Sequence, residues 1–287
     1  VVDLTTGLGG HGRRLAEAVG PTGRYIGIEW DPETFALAQD IFKDLPQAIL
    51  FNENFTQLPA ILEEVGIDRV DGALLDAGVN WLQLTAPHRS LTQDSEAGLD
   101  MRLRCEPERP TVAEVVAEAS EEELREILRV TLAEGESRRL ARAIVRARQK
   151  AAIETTRRLS EVILSTQSPQ ARRSGRQPAP ALLAFRIYVN EELENLETGI
   201  RVAARALRPQ TGRLVALTFH SVEHRTVRTL YRELAGACQC PPRLPCVCGR
   251  VASLKILTPK PLSPDGVSLA RSGPQCRSCR LHAAQAL

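Results

Sequence analysis

The spacing of apolar residues changes period along the chain, and the changes divide it into three stretches. In the first, Val1-Val2-Asp3 reads as a short buried strand running into a glycine-rich turn over Thr6 to Gly12. A short helix follows over Arg13 to Val19, then a second strand over Arg24 to Ile28 ending at Glu29, and a helix over Pro32 to Lys43. Ile49 to Asn52, Leu58 to Val65 and Val70 to Leu75 predict strand, helix and strand again, the last ending in Asp76-Ala77-Gly78. Strands alternating with helices are the mark of a parallel sheet covered on both faces, so the fold class is α/β.

From Thr111 to Thr166 the spacing becomes helical throughout, with Val112, Val115, Val116, Leu124, Ile127 and Leu128 as its first apolar positions and no strand between them. This predicts an all-helical insertion, closed by a Pro-, Arg-, Ser- and Gly-rich linker over Ser168 to Pro180. Ala181 to Leu207 then reads as one long amphipathic helix, and Leu214 to Phe219 as a fifth strand ending at His220-Ser221. Beyond Leu234 the pattern is irregular: a Cys and Pro loop from Cys238 to Cys248, an apolar run at Leu254 to Leu257 and a basic tail. The expected division is a discontinuous α/β core over residues 1–84 and 181–287, interrupted by a helical domain over 85–180.

Composition narrows the class further. At 287 residues, 43% hydrophobic and 25% charged, the chain can bury a core and has no need to be disordered. No window reaches the ~18 uninterrupted apolar residues of a spanning helix, and no basic-then-apolar signal opens the sequence. A membrane partner is not expected. The chain opens on Val1 rather than Met, which we read as the loss of an N-terminal segment. The seven cysteines are an odd number in a chain too long to need disulfide staples, so a reducing compartment is expected. Net charge is +2, but Ser137 to Arg176 holds ten Arg and one Lys against Glu154 and Glu161. That local excess predicts an electrostatic footprint for nucleic acid on a face including Arg139, Arg142 and Arg146, against the alternative of an ordinary solvated basic face.

Gly7-Leu8-Gly9-Gly10-His11-Gly12 lies where a strand turns into a helix, so its backbone can approach a ligand without Cβ clashes. Glu29 ends the next strand, where a carboxylate can accept both hydroxyls of a ribose. Two adenosine cofactors fit, a nicotinamide dinucleotide and S-adenosylmethionine. Asp3, four residues before Gly7, would oppose a pyrophosphate and suit the ammonium of the second. Asp76 and Asn80 stand at the carboxyl end of the fourth strand and can accept N–H groups of an amine undergoing methylation, although Asp at such a place also caps helices. His220 ends the fifth strand on the same edge, as a candidate for the acceptor pocket or as a structural histidine. Trp30 and Trp81 beside strand ends offer surfaces for base stacking or for packing. Cys238, Cys240, Cys246 and Cys248 could suit zinc, but each pair is separated by one residue rather than the usual two to four. The expectation is therefore thiols with no metal.

The order of these segments resembles the small-subunit (16S-type) ribosomal RNA cytosine-N4 methyltransferases, the bacterial MraW-like proteins and their mitochondrial relatives. Asp3 to His11, Ile28 to Asp31, Asn54-Phe55, Leu74 to Val79 with Gln83, and Ala141 to Val145 carry part of the likeness. Its most specific pieces are Leu99-Asp100-Met101-Arg102, Arg186-Ile187-Tyr188-Val189-Asn190-Glu191-Glu192-Leu193 and Phe219-His220-Ser221. The resemblance implies a class I, Rossmann-like methyltransferase sheet with a helical insertion, and S-adenosylmethionine as cofactor. By motif, that site falls on Gly9, Gly10 and His11, on Glu29 at the ribose, on Phe55 beside the adenine, and on Asp76 and Gln83. The implied partner is small-subunit ribosomal RNA or the assembled subunit, in the bacterial cytoplasm or, for a eukaryotic chain, the mitochondrial matrix; a homodimer stays open. This chain has Glu29 where the family usually has Asp, Asn80-Trp81 in place of Ser-Ser, and a shortened basic segment around Arg271. Two other readings compete: an NAD-dependent oxidoreductase, and a non-catalytic ribosomal RNA-binding assembly protein that keeps the fold.

Overall fold

The computed structural model describes residues 1–167, 178–238, 240, 247–266 and 274–287. Contacts divide the chain into two compact units, one of Val1–Gly78 with Leu193–Leu287, the other of Val79–Glu192.

The first unit is built on a seven-stranded sheet: β1 (Val2–Asp3), β2 (Tyr25–Ile28), β3 (Ala48–Phe51), β4 (Gly72–Asp76), β5 (Arg213–Thr218), β6 (Leu254–Ile256) and β7 (Arg280–Ala286). Their order is β3-β2-β1-β4-β5-β7-β6. The first five run parallel, with Asp3 beside Gly27 and Leu74, and Asp76 beside Leu217. β7 is antiparallel to β5, and β6 to β7. All four residues of β2 are buried, as a strand covered on both faces requires. Tyr25 packs with Ala16 and Phe42, while its neighbours Ile26 and Ile28 join Leu58, Ile61, Leu196 and Ile200 in the larger core. The order reverses between β1 and β4, which puts the crevice of such a sheet outside their carboxyl ends.

Helices α1 (Gly12–Ala18), α2 (Pro32–Phe42) and α3 (Leu58–Glu64) fall where the periodicity predicts them. The second unit holds α4 (Trp81–Thr85), α5 (Val112–Glu118), α6 (Glu121–Arg129), α7 (Glu134–Arg148), α8 (Thr156–Ser165) and α9 (Ala179–Val189), around a core that includes Leu99, Leu124, Leu140, Ile144, Leu159 and Phe185. Thr111 with Glu114, and Ser120 with Glu123, close reciprocal caps at the starts of α5 and α6. Among the described residues no helix is long and apolar enough to cross a membrane.

Three expectations differ from this structure. The single helix over Ala181 to Leu207 is two, α9 and α10 (Glu192–Ala206), because the chain turns at Asn190-Glu191, where Glu191 adopts φ 48. Asn190 holds that turn: its Nδ2 donates to the carbonyls of Met101 and Arg186, both at 2.9 Å, and its Oδ1 accepts from Leu103 N at 2.8 Å. Arg186 then spans the turn with a two-pronged pair to Glu192, at 2.7 and 3.0 Å. The unit boundaries consequently lie at 78/79 and 192/193 rather than 84/85 and 180/181, since α9 buries Ala181, Leu182, Ala184 and Phe185 in the helical core. Finally, the irregular stretch after α11 (Ser221–Leu234) contributes β6 and β7 to the sheet. Most of the linker expected over Ser168 to Pro180 lies outside the described residues, as do Cys246 and the basic segment around Arg271.

Asn190 is 1% exposed, so removing its amide strands buried partners. Asn190→Ala is expected to cost about 2–4 kcal/mol in urea denaturation; a change below about 0.5 kcal/mol, the scale of a neutral surface substitution, would show that these bonds do not hold the helix end.

Candidate active site

In the first unit, the loop after β1 is shaped by two glycines with positive φ, Gly7 (+53) and Gly9 (+72). Gly9 N donates to Thr6 O at 2.9 Å, and a Cβ on Gly9 would lie 2.7 Å from the Phe42 ring. At exposed Gly10 a Cβ would meet nothing within 4 Å. Gly12 starts α1 directly over Asp3 and Tyr25, where a Cβ would fall 3.0 Å from Asp3 Oδ2 and 2.1 Å from Tyr25 Oη.

Three carboxyl groups converge on the ends of β1, β2 and β4. Asp3 is 1% exposed; its Oδ1 accepts from Thr5 N at 3.2 Å and its Oδ2 from the Tyr25 hydroxyl at 3.1 Å. Burial pushes its pKa up to about 6. Glu29 accepts from Gly7 N (2.9 Å) on one oxygen and from Asp31 N (2.8 Å) on the other, and burial raises it to about 7. Each oxygen keeps a lone pair for a further donor. Asp76 donates its own N–H to Thr5 Oγ1 at 2.7 Å, which ties the end of β4 to the loop after β1. Its Oδ2 lies 3.7 Å from His11 Nε2, and its Oδ1 is buried with no hydrogen-bond partner among the described residues. Burial first, and then the Glu223 charge, raise Asp76 to about 6.

His220 and Glu223 sit at the start of α11. Glu223 Oε2 accepts from Phe219 N at 2.8 Å and His220 N at 3.2 Å, while His220 Nδ1 accepts from Glu223 N at 3.3 Å. The pair caps the helix reciprocally, and His220 Nε2 stands 2.9 Å from Glu223 Oε1. Burial works to raise the Glu223 pKa, but His220 and the two backbone N–H groups outweigh it, so the carboxyl sits below its ordinary range. A Cβ on Gly78, just past Asp76, would be 3.7 Å from Glu223 Oε1. Phe55, part-buried after β3, lies against α10 at Gly199, where a Cβ would be 2.5 Å from its ring.

The structure therefore gathers Asp3, Gly9, Gly10, His11, Glu29, Phe55, Asp76 and His220 in the first unit, at or just past the carboxyl ends of its strands. Asn80 and Gln83 belong to the second unit. There Asn80 Oδ1 accepts from Gln83 N and Gln83 Oε1 from Asn80 N, both at 2.9 Å, so they cap α4. The cap role weighed for Asp76 falls to Asn80. Sequence reasoning gave Glu223 and Thr5 no role; the His-x-x-Glu spacing of a capping box was the available signal for Glu223.

The basic stretch also looks different once folded. Within the second unit Arg138 pairs with Glu134, Arg142 with Glu121, Arg157 with Glu96 and Arg158 with Glu161, all at 2.8 to 3.1 Å. Arg148 donates to the carbonyls of Val116 and Ala119 at the end of α5. Glu121, Glu134 and Glu96, all outside the counted stretch, thus answer part of the linear excess. Arg172, Arg173 and Arg176 lie outside the described residues.

The family model described as the MraW methylase family matches residues 1–287. The chain is similar to Ribosomal RNA small subunit methyltransferase H of Natranaerobius thermophilus, 40% identical over 290 residues, covering 100% of this chain and 91% of that protein. It is also similar to the proteins of the same name from Clostridium botulinum (strain Kyoto / Type A2), 39% identical over 265 residues with 92% and 85% covered, and Geobacter sulfurreducens, 39% over 295 residues with 100% and 92% covered.

The raised Glu29 pKa makes the folded chain hold that proton more tightly than the unfolded one, so its contribution to stability falls as pH rises from the ordinary carboxyl range to about 7. His282, pushed down to about 4 by burial, has the opposite sign in an overlapping range, so a variant difference is the clean measure. The stability of Glu29→Gln relative to the unaltered chain is expected to climb between about pH 5 and about pH 7.5; a constant difference would contradict a buried, reluctant carboxylate.

Proposed function

We propose, from the premise that the chain belongs to the MraW methylase family, that it transfers a methyl group from S-adenosylmethionine to the N4 amine of a cytosine in small-subunit ribosomal RNA. The observation carrying this reading is the set of buried carboxyl groups at the sheet's carboxyl edge, Asp3, Glu29 and Asp76, all raised by burial. Such a crevice favours a ligand that brings positive charge and opposes a pyrophosphate. The NAD-dependent alternative is therefore set aside, and the methylase family model extends over the whole chain.

The residues present fit the cofactor. The buried, unpartnered Asp76 Oδ1 is an acceptor in want of a donor, and exposed Gly10 leaves open a space that a side chain would fill. Gly9, Gly10 and His11 would border the cofactor, Glu29 would take the ribose hydroxyls on its remaining lone pairs, and Phe55 would lie by the adenine. Asp3, 1% exposed beneath the loop with each oxygen already accepting one hydrogen bond, would act through its charge and by fixing the loop's shape. When bound, S-adenosylmethionine supplies an electrophilic methyl group on a sulfonium whose departing sulfur keeps the bonding pair.

The chain's part is positioning. Asp76 accepts an N–H of the target amine, turns the nitrogen lone pair toward the methyl group and takes up the proton that N4 loses as its new N–C bond forms. A carboxyl near pKa 6 suits that task better than an ordinary one. His220 and Glu223 follow the end of the neighbouring strand, β5; Glu223, held below its ordinary range by His220 and its helix cap, disfavours a second negative charge on Asp76. Asn80, committed to the α4 cap, is not given a part in the transfer.

The second unit is the RNA-facing one in this reading. Trp81 and Tyr188, 70% and 48% exposed, offer surfaces for base stacking. Its solvent-exposed ion pairs are each worth only ~0–1 kcal/mol, so Arg138, Arg142, Arg157 and Arg158 can exchange their carboxylates for phosphates at little cost. Such an enzyme would act in the bacterial cytoplasm, where its substrate is assembled.

Small subunits lacking the modification, incubated with methyl-labelled donor, are expected to yield label in N4-methylcytidine; label in another nucleoside overturns the target, and salt-dependent binding without incorporation favours the assembly-protein alternative. Gly10→Ala should leave stability within about 0.5 kcal/mol yet raise the S-adenosylmethionine Kd at least ~10-fold in calorimetry, and an unchanged Kd would remove the loop from the site. Asp76→Asn should lower kcat about 10²-fold or more in the folded protein; near-normal turnover would assign the amine to another group.

A further inference from the structure

The Cys and Pro loop between α11 and β6 has no part in methyl transfer as read above. Its neck is tied on both sides. Ser253 N donates to Leu234 O at 2.8 Å, Ala237 N to Arg232 O at 2.9 Å, and Arg250 Nη1 lies 3.3 Å from Glu233 Oε1. Past the neck, the described part of the loop buries little apolar surface: Val247 and Val251 are 87% and 88% exposed. Hydrophobic burial, which ordinarily offsets the entropy of fixing a backbone, is small here.

What the loop gathers is sulfur. The Sγ atoms of Cys238, Cys240 and Cys248 all lie within 4.8 Å of one another, with Cys238 and Cys248 at 3.9 Å. That last separation is far beyond a disulfide bond of about 2.05 Å. It matches the edge of a tetrahedron of sulfurs about a metal, which is about 3.8 Å for Zn–S bonds of about 2.3 Å. Two backbone N–H groups also point at these sulfurs: Cys240 N at Cys238 Sγ (3.4 Å) and Val247 N at Cys240 Sγ (3.5 Å). Such donors support negative charge on sulfur, the form in which cysteine binds metal.

We infer that Cys238, Cys240 and Cys248 form a zinc site. The one-residue spacing within each cysteine pair argues against metal only if the pairs act alone; the fold brings Cys248 back across the loop to Cys238, so the ligand set is made between the pairs. Zinc is the metal chosen because it is borderline-soft, takes thiolates tetrahedrally and needs no redox partner. The thiols give their protons to water as the Zn–S bonds form, and no electron changes hands. Three thiolates leave one position for water or a further donor. The bound ion serves as a staple where the described part of the loop buries little apolar surface.

The test uses the whole chain, purified in reductant without chelator. Elemental analysis is expected to find about one zinc per chain, released by a thiol-blocking mercurial. Cys238→Ser and Cys240→Ser should lose the zinc, while Cys105→Ser, an exposed cysteine of the other unit, should keep it. Because a serine variant could fail for reasons of folding, the unaltered protein is also stripped with chelator. Proteolysis within the loop should then quicken by ~10-fold or more and return to its former rate on adding zinc chloride, with S-adenosylmethionine affinity unchanged throughout. The site is overturned by a chain that arrives without zinc and takes up none on titration. It is equally overturned by a Cys238–Cys248 disulfide in fresh protein, or by iron with acid-labile sulfide in zinc's place.

Discussion

Burying carboxyl groups at the ends of parallel strands sets the terms for the rest of the first unit. Asp3, Glu29 and Asp76 lie where the sheet order reverses, and each is pushed toward its neutral form by loss of water. The protein limits that cost with local donors: Thr5 N and the Tyr25 hydroxyl for Asp3, Gly7 N and Asp31 N for Glu29. All but Asp31 N, which lies at the start of α2, are backbone groups of the segment after β1 or a side chain beneath it, so loop shape and carboxyl placement determine each other. Gly12 illustrates the coupling, since a side chain there would collide with Tyr25 and crowd Asp3. Among the described residues Asp76 is the exception, with one oxygen left unpartnered. Two of the three buried acids are thus satisfied by local donors, while the third keeps an acceptor open among the described residues.

Charge in the second unit follows a different rule. Counted along the chain, residues 137–176 carry a large positive excess; counted in space, several of those arginines meet glutamates supplied by α6, the start of α7 and the loop near Glu96. A linear tally therefore overstates the field such a unit projects. Arg148, part-buried, has a structural duty on two carbonyls, where its charge serves the end of α5. What survives on the arginines named is a set of weak, water-exposed ion pairs.

The parts of the fold legible in the sequence are those whose cause is local. Parallel strands buried on both faces appear as short apolar runs, amphipathic helices as a 3.6-residue period, and the sharp turn between them as glycine, so β1 to β5 and the first three helices fall close to where they were expected. The misses have non-local causes. β7 is made of Arg280-Leu281-His282-Ala283-Ala284-Gln285-Ala286, a run without β-branched residues, and it is a strand because β5 and β6 offer it two ladders. The turn between α9 and α10 leaves the apolar spacing undisturbed, because it is made by an asparagine reaching Met101 and Leu103, nearly ninety residues away in sequence. At the site the glycines, Glu29 and Asp76 were legible from their places at strand ends, whereas the Thr5 bridge to Asp76 exists only once β1 and β4 are neighbours.

The polar residues that looked chemical from motif alone divide on the same physical ground. Asn80 with Gln83, and His220 with Glu223, are each a residue and its third neighbour exchanging backbone hydrogen bonds at a helix start. A side chain committed to a cap is held in one orientation, which makes it a poor mobile base and a good fixed dipole or charge. Glu223 shows the consequence most clearly: against burial, His220 first and then the backbone N–H groups of Phe219 and His220 hold its carboxyl below the ordinary range. That fixed negative charge is in turn one of the two causes raising Asp76, so the helix cap on β5's side of the crevice tunes the acid on β4's side. Of these two carboxyls, it is Asp76 whose proton can come and go near neutrality, because Glu223 has been spent on holding the helix that faces it.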